Sequence, residues 1–351
     1  MKNTLAGITL FALTLASVVY YPKVVAKPMA PNAPVDVVQS QNPKIDVVFV
    51  LDTTGSMSGL IQTAKDKIWS IATTMASAEQ TPEIRIGLVA YRDRGDDYVT
   101  KVVDLSSDLD SVYATLMDFA ADGGGDGPES VNKALYDAVH AMSWSEQSEG
   151  YQAIFLVGDA PPHMDYNEVQ YPEIIASAMN MGIVINTIQC GDIATTIAPW
   201  TQIAQLSRGE YFQVAQAGGA VAFTTPYDKE IAELSADLDS TRLYYGSEAE
   251  REKMNKKIAA TDKIHSGLSV SSRARRAEFN ASEAGKANLL GDKELVSDIT
   301  EGSVALEELE DDALPEPLKA MSPAEQKDYV SQLSEKRAAL QLRIRGLSKQ
   351  R

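Results

Sequence analysis

From Asp46 to about Val214 the chain alternates between two hydrophobic rhythms. Largely apolar runs at Asp46–Leu51, Ile84–Tyr91, Gln152–Gly158 and Ile183–Cys190 predict strands; the first, with five adjacent apolar residues rich in β-branched types, reads as buried on both faces. Tyr98–Leu105 and Glu210–Val214 read as two further strands. Between them lie stretches with apolar residues at helical spacing. Ser58–Ser77 shows it best, through Leu60, Ile61, Ala64, Ile68, Ile71, Ala72 and Met75. Leu109–Phe119, Ser130–Met142, Tyr171–Met181 with Gly182 as C-cap, and Ala198–Ser207 follow. Strands alternating with helices predict an α/β fold: a doubly wound, mostly parallel six-stranded sheet covered on both faces. The connection from Tyr91 to Tyr98 is too short for a helix, so the third strand is expected to be antiparallel and at the sheet edge.

Beyond Asp228 the pattern becomes helical and charged. Ile231, Leu234, Leu238 and Leu243 mark one helix and Glu248–Ser272 another, while Ser303–Leu318 is an acidic loop. Ser322-Pro323-Ala324-Glu325 has the residues of a capped helix start. Leu333, Leu340 and Leu347 then recur once per heptad, a spacing that suits packing on a partner helix or on the domain itself. The expected organisation is a signal at 1–26, a Pro-rich linker at 27–43, an α/β domain at 44–226 and a helical, charged region at 227–351.

The signal rests on Lys2, the apolar stretch Leu5–Val19 and the small-residue site Val24-Val25-Ala26. The apolar stretch is shorter than the about 20 residues of a membrane-spanning helix. A periplasmic or secreted protein is therefore expected, with an uncleaved membrane anchor as the alternative. Net charge is −17, which argues against nucleic acid. The charge is uneven: 12 Lys+Arg face 25 Asp+Glu through residue 226, against 20 and 24 beyond it. Arg273-Ala274-Arg275-Arg276 is the one basic cluster, a candidate contact for lipid head groups or an acidic partner, although four such residues are usually a solvated face. The single cysteine, Cys190, lies in an apolar run and reads as a small core hydrophobe.

Candidate chemistry gathers where the strands end. In a doubly wound sheet, ligands bind beyond the carboxyl ends of the strands, at the point where strand order reverses. The first apolar run stops abruptly at Asp52, followed by Thr54 and Ser56. An acid and two hydroxyls at alternate positions suit a hard divalent cation, although Ser56 or Thr54 could equally be a helix cap. Two more segments are expected at the same sheet end: Gly123-Gly124-Gly125-Asp126-Gly127-Pro128-Glu129, and Gly158-Asp159-Ala160-Pro161-Pro162-His163.

Taken together, these segments resemble the von Willebrand factor A domain family. The D-x-T-x-S of Asp52, Thr54 and Ser56 is similar to the family's metal-ion-dependent adhesion site, usually D-x-S-x-S, and the resemblance runs from about Ile45 to Ala215. Asp126-Gly127-Pro128-Glu129 resembles the D-x-P-E loop in the A-like domains of integrin β subunits. That resemblance implies Asp52, Thr54, Ser56, Glu129 and Asp159 as the metal site, with Asp159 acting through water or at a distance. It also implies Asp126 and the Pro128 carbonyl as candidates for a second ion, an incomplete match because Gly124 stands where an Asn is usual. The implied cofactor is Mg2+, or Ca2+ or Mn2+. The implied partner is a protein presenting an Asp or Glu carboxylate to the ion.

Arg92, Asp93, Arg94 and Asp96 follow the second strand and read either as a solvated turn or as a specificity rim. His163 reads as a surface loop residue. No paired His ligands, no plausible Ser or Cys nucleophile next to a His, and no P-loop lysine are found, so the chain reads as a non-enzyme. The expected function is a metal-dependent protein-binding module of the envelope or secreted space. The alternatives are a structural or regulatory scaffold for its own helical region or an envelope assembly, and then a metal-dependent hydrolase.

Overall fold

The structure is a computed structural model that describes residues 43–78, 81–124, 127–216 and 224–351. The signal, nearly all of the linker, and Asp126 lie outside the described residues. Among those described, no helix is long and apolar enough to cross a membrane.

The chain divides into two compact units. One holds residues up to 107 and 115–221; the other holds 108–114 and 222–351. The sequence places the boundary after residue 226 and does not separate 108–114, of which all but Asp108 belong to the helix Leu109–Asp118.

The first unit is built on six strands: β1 (Lys44–Asp52), β2 (Glu83–Tyr91), β3 (Thr100–Ser106), β4 (Gly150–Gly158), β5 (Val184–Cys190) and β6 (Tyr211–Val214). Their order is β3-β2-β1-β4-β5-β6, with β3 antiparallel at the edge and every other pair parallel. This is the doubly wound sheet with one reversed edge strand that the pattern predicts. Strand order reverses at β1, which pairs with β2 on one side and β4 on the other. Register fixes what meets there. Asp52 is opposite Tyr91, and Leu51 is opposite Val157, so the end of β1 lies level with the ends of β2 and β4. At the opposite end of β1, Asp46 is buried and takes a bidentate ion pair from Arg85, with Nε on Oδ1 at 2.8 Å and Nη2 on Oδ2 at 2.6 Å.

Helices α1 (Ser58–Met75), α2 (Leu109–Asp118), α3 (Val131–His140), α4 (Tyr171–Met181) and α5 (Ala194–Leu206) connect the strands. Val48, Val50, Ile154 and Leu156 of the sheet pack with Leu135, Val139, Ile174, Trp200 and Ile203 of the helices in one core. The sequence pattern starts α5 just before Pro199, whereas the helix begins at Ala194. Its first two turns are held by tertiary bonds, from the Thr196 hydroxyl to the Asp159 carbonyl (2.8 Å) and from the Trp200 indole to the Ala160 carbonyl (3.0 Å). These bonds outweigh the interruption that an internal proline imposes.

The second unit is helical: α6 (Asp228–Asp239), α7 (Glu248–Gly267), α8 (Val270–Asn280), α9 (Lys286–Leu290), α10 (Leu295–Thr300), α11 (Glu316–Lys319) and α12 (Pro323–Gln350). The expected helix Glu248–Ser272 is two helices. Leu268 is extended, and the Ser269 hydroxyl accepts from the Ser272 amide at 3.2 Å to cap α8. The Ser322–Glu325 capping box forms as predicted. Leu340 and Leu347 pack against the cluster of Ile231, Leu238 and Ala277, and Leu333 against that of Leu295 and Val330. The heptad spacing therefore covers the unit's own core.

The basic cluster is not a surface patch. Arg276 is fully buried and bridges two buried aspartates. Its Nε and Nη2 donate to Asp110 at 2.7 and 2.5 Å, and its Nη1 donates to Asp239 at 2.7 Å. Burial by itself would raise both carboxyls, but the guanidinium outweighs it and holds both below the usual range. Arg275 pairs with Glu278. Helical periodicity turns Arg276 inward with Ala277, a direction that four consecutive residue types do not reveal. Replacing Arg276 by Ala leaves two buried carboxylates without their cation. The expected loss is about 3–5 kcal/mol of unfolding free energy, measured by urea denaturation of the full chain. A loss below about 1 kcal/mol would show that water or Arg242 takes over the charge.

Candidate metal-ion site

Three loops meet beyond the carboxyl ends of β1 and β4, and backbone bonds lock them together. The Thr53 amide donates to the Tyr91 carbonyl (2.9 Å), the Gly55 amide to the Gly123 carbonyl (3.1 Å) and the Asp122 amide to the Thr53 carbonyl (3.1 Å). Glu129 is clamped onto the loop after β4. Its amide donates to the Pro161 carbonyl (2.9 Å), and its carbonyl accepts from the His163 amide (3.1 Å). Gly124, at φ +75°, fills the gap between the first two loops. A Cβ there would stand 3.2 Å from Thr54 Cβ and 3.6 Å from Glu129 Oε1. The Glu129 carboxylate and Thr54 therefore face the same small space.

Asp52, Thr54, Glu129 and Asp159 are all at least 96 % buried, while Ser56 is exposed at the mouth. Asp52 Oδ1 accepts from the Thr54 amide (2.9 Å) and the Thr54 hydroxyl (2.6 Å), and the Thr54 and Ser56 hydroxyl oxygens are 3.3 Å apart. The second oxygens, Asp52 Oδ2 and Glu129 Oε2, are buried without a hydrogen-bond partner among the described residues, and so is the Tyr91 hydroxyl. Leaving a buried carboxylate oxygen unpaired is costly, and its consequence is visible in the proton affinities. Burial is the largest cause raising Glu129, to about 9, with the charge of Asp52 next. Burial also raises Asp52, to about 7, against the opposing bonds from Thr54.

Such a cup attracts positive charge, either protons or a metal ion. Two neutral hydroxyls and two carboxylates are the donor set of a hard, oxygen-ligated divalent cation. Among the described residues no three His, Cys, Asp or Glu side chains converge as a ready-made cation site. Asp159 is engaged elsewhere: its Oδ2 accepts from Gln216 Nε2 at 2.6 Å. The cup thus depends on its hydroxyls.

A family model described as von Willebrand factor A domain matches residues 46–226, half of the chain, and spans all three loops. The chain belongs to the von Willebrand factor A domain family. VWA domains are generally protein-interaction modules and are for the most part not enzymes. Among curated proteins, the Dictyostelium discoideum alpha-protein kinase vwkA is 25% identical over 243 residues, 65% of this chain. The chain spans 33% of that kinase's length. Similar solved structures include proximal thread matrix protein 1 from the mussel byssus, at 15% identity and a TM-score of 0.38 over 50% of this chain and 42% of that one. The same mussel protein with a zinc-occupied MIDAS motif matches at 16% identity and a TM-score of 0.39, with the same coverage. The SpRpn10 VWA domain matches at 15% identity and a TM-score of 0.35 over 52% of this chain and all of that one.

Of the four residues after β2 that read as a solvated turn or a rim, two, Arg92 and Asp93, are buried. Arg92 is buried and donates to the Thr53 carbonyl (3.2 Å) and the Ala120 carbonyl (2.9 Å). Asp93 is buried and accepts from the Ser130 hydroxyl (2.7 Å) and the Tyr166 hydroxyl (2.7 Å). Asp96 accepts from the Gly124 amide at 3.2 Å. These three side chains fasten the loops of the VWA site to one another. Arg94 alone of the four is exposed, stacked over the Tyr166 ring and paired with Glu168 at 2.7 Å. His163 is likewise no surface residue. It is buried, stacked on Tyr166 at 3.8 Å between ring centres, with Nδ1 2.8 Å from Asp165 and Nε2 3.3 Å from Asp93.

Three residues of the site escape a reading of the sequence. Tyr91 is the last residue of β2, opposite Asp52. Gly158 allows that approach, since a Cβ there would run into the Tyr91 hydroxyl and lie 3.0 Å from Asp52 Oδ2. Their positions at strand ends are the signal that could have found them. Gln216, two residues past β6, has none.

The raised carboxyls set a pH dependence. Between the ordinary glutamate value of 4.5 and about 9, the folded chain holds a proton on Glu129 that the unfolded chain has released. Stability of the metal-free protein therefore falls as pH rises through that window, with Asp52 adding to the fall up to about 7. Thermal melts in EDTA should show the decline, and Glu129→Gln, which has no proton to release, should flatten it. An undiminished slope in the variant would contradict the assignment.

Proposed function

We propose that this protein is a metal-dependent protein-binding module whose VWA domain grips a partner carboxylate through a divalent cation, Mg2+ first and Ca2+ or Mn2+ as substitutes. Asp52, Thr54, Ser56 and Glu129 hold the ion, and Asp159 stands behind them. One observation carries this reading: Asp52 Oδ2 and Glu129 Oε2 are buried and unpartnered among the described residues, and the other Asp52 oxygen bonds the Thr54 hydroxyl, which is 3.3 Å from that of Ser56. A cation supplies the missing partner for both oxygens and displaces their protons. Hydroxyl ligands add no charge, so two carboxylates leave the ion no more than neutralised. Mg2+ retains water readily, so a bound ion would offer a water position to an Asp or Glu of the partner.

The similarity of Asp126-Gly127-Pro128-Glu129 to the integrin β loop supports Glu129 as a ligand and leaves Asp126 and Pro128 as the candidates for a second ion. Of the loop after β2, Arg94 remains as a cationic rim residue. Exposed Met164, Val169, Ile193 and Ile197 lie in the segments that follow β4 and β5, which favours an acidic partner residue with apolar neighbours. The kinase activity named for the Dictyostelium relative is not proposed for this chain, which spans a third of that protein.

Asp52→Ala should lower Mn2+ affinity by about 100-fold or more in calorimetric titration, because a direct ligand counts for at least as much as the supporting residues around one. It should remain folded, since it removes a buried charge that opposes folding. EDTA and Asp52→Ala should each abolish Mg2+-dependent partner capture from an envelope extract. Unchanged Mn2+ binding in the variant would sink the proposal. We also place the protein in the periplasm or secreted space, on residues 2–26 alone. N-terminal sequencing of the mature chain should then begin at Lys27, and a retained Met1 would favour the membrane anchor.

A further inference from the structure

We propose that Gln216 is a positioning residue that holds the Asp159 carboxylate out of the cation's inner shell and so keeps a position open for an external carboxylate. This rests on the cation-site reading above. Gln216 lies two residues past β6 and reaches back across the end of the sheet. Its Nε2 donates to Asp159 Oδ2 at 2.6 Å and to the Ser56 carbonyl at 3.3 Å, spanning two of the three segments that build the site. Its Oε1 rests over Gly191. That residue has φ +77° and donates its amide to the Val214 carbonyl at 2.9 Å, and a Cβ there would run into the Gln216 side-chain oxygen. Glycine at 191 leaves room for this side-chain oxygen.

Charge explains why an amide belongs there. Asp52 and Glu129 already neutralise a divalent ion. A third carboxylate in direct contact would leave the site net negative and repel the carboxylate it is to bind. Asp159 lies far from Asp52 in sequence but beside it in the sheet, and its charge is felt at both Asp52 and Glu129. An amide donor satisfies one Asp159 oxygen without adding or cancelling charge. Lysine or arginine in the same place would neutralise Asp159 and also repel the metal. Gln216 itself is exposed, so its replacement leaves the core intact.

The test uses Mn2+ alone on the full chain, with affinity read by titration and ion-bound water read by solvent-proton relaxation. Gln216→Met keeps the side-chain length without the donor, and Gln216→Ala removes both. In each variant Asp159 is free to replace a water, so Mn2+ should bind about tenfold tighter, following the added ligand charge, and carry fewer exchanging waters. A side chain with only a structural role would weaken binding or leave it unchanged, and either result overturns the inference. Unchanged water content does the same. If the unaltered chain shows no saturable Mn2+ binding, the cation-site reading falls as well; if it binds and the variants match it, only the role of Gln216 falls.

Discussion

Two carboxylate oxygens, Asp52 Oδ2 and Glu129 Oε2, sit in the protein interior with no hydrogen bond from any described residue. Nothing in the apolar packing of the sheet requires them, and their burial opposes folding, as their raised proton affinities show. The surrounding structure is arranged to tolerate that cost. Thr54 satisfies the other Asp52 oxygen, Gly124 and Gly158 let three backbones close around the cup, and the buried Arg92 and Asp93 tie the loops down. If the cup takes a cation as proposed, it is organised beforehand, and binding would not have to order it.

The second unit handles buried charge in the opposite manner. There Arg276 lies between Asp110 and Asp239, with the Ser235 hydroxyl and Asn288 completing the bonds. Both aspartates are lowered, whereas Asp52 and Glu129 are raised. Equal burial thus separates two roles. Carboxylates whose charge is met from within specify structure, and carboxylates whose charge is not met are available to something from outside. Arg276, within the basic cluster Arg273–Arg276, serves the first kind.

Much of the first unit is legible in the sequence because its signals are local and periodic. Continuous β-branched runs point to buried strands, and the short link from Tyr91 to Thr100 leaves β3 no choice but to reverse. The ligand candidates can be read because they punctuate strand ends, where an acid after five apolar residues stands out. The loop Arg92–Asp97 misleads because its charges look solvated in sequence. Only the closing of loops 120–124 and 158–166 over it buries Arg92 and Asp93. His163 misleads for the same reason. The break between α7 and α8 is invisible because Leu268 and Ser269 fit a helix as well as a cap until their neighbours are placed.

By itself the sequence determined the α/β alternation, the reversed edge strand and the three segments that carry the candidate ligands, since each depends on residues close together in the chain. Tertiary structure alone decided which polar atoms are satisfied. Whether a carboxylate is paired depends on what stands opposite it, and those neighbours come from far along the chain: Tyr91 and Gly158 beside Asp52, Gln216 on Asp159, Asp110 on Arg276. Hydrophobic periodicity records which way a side chain faces. It carries no information about the partner it meets there.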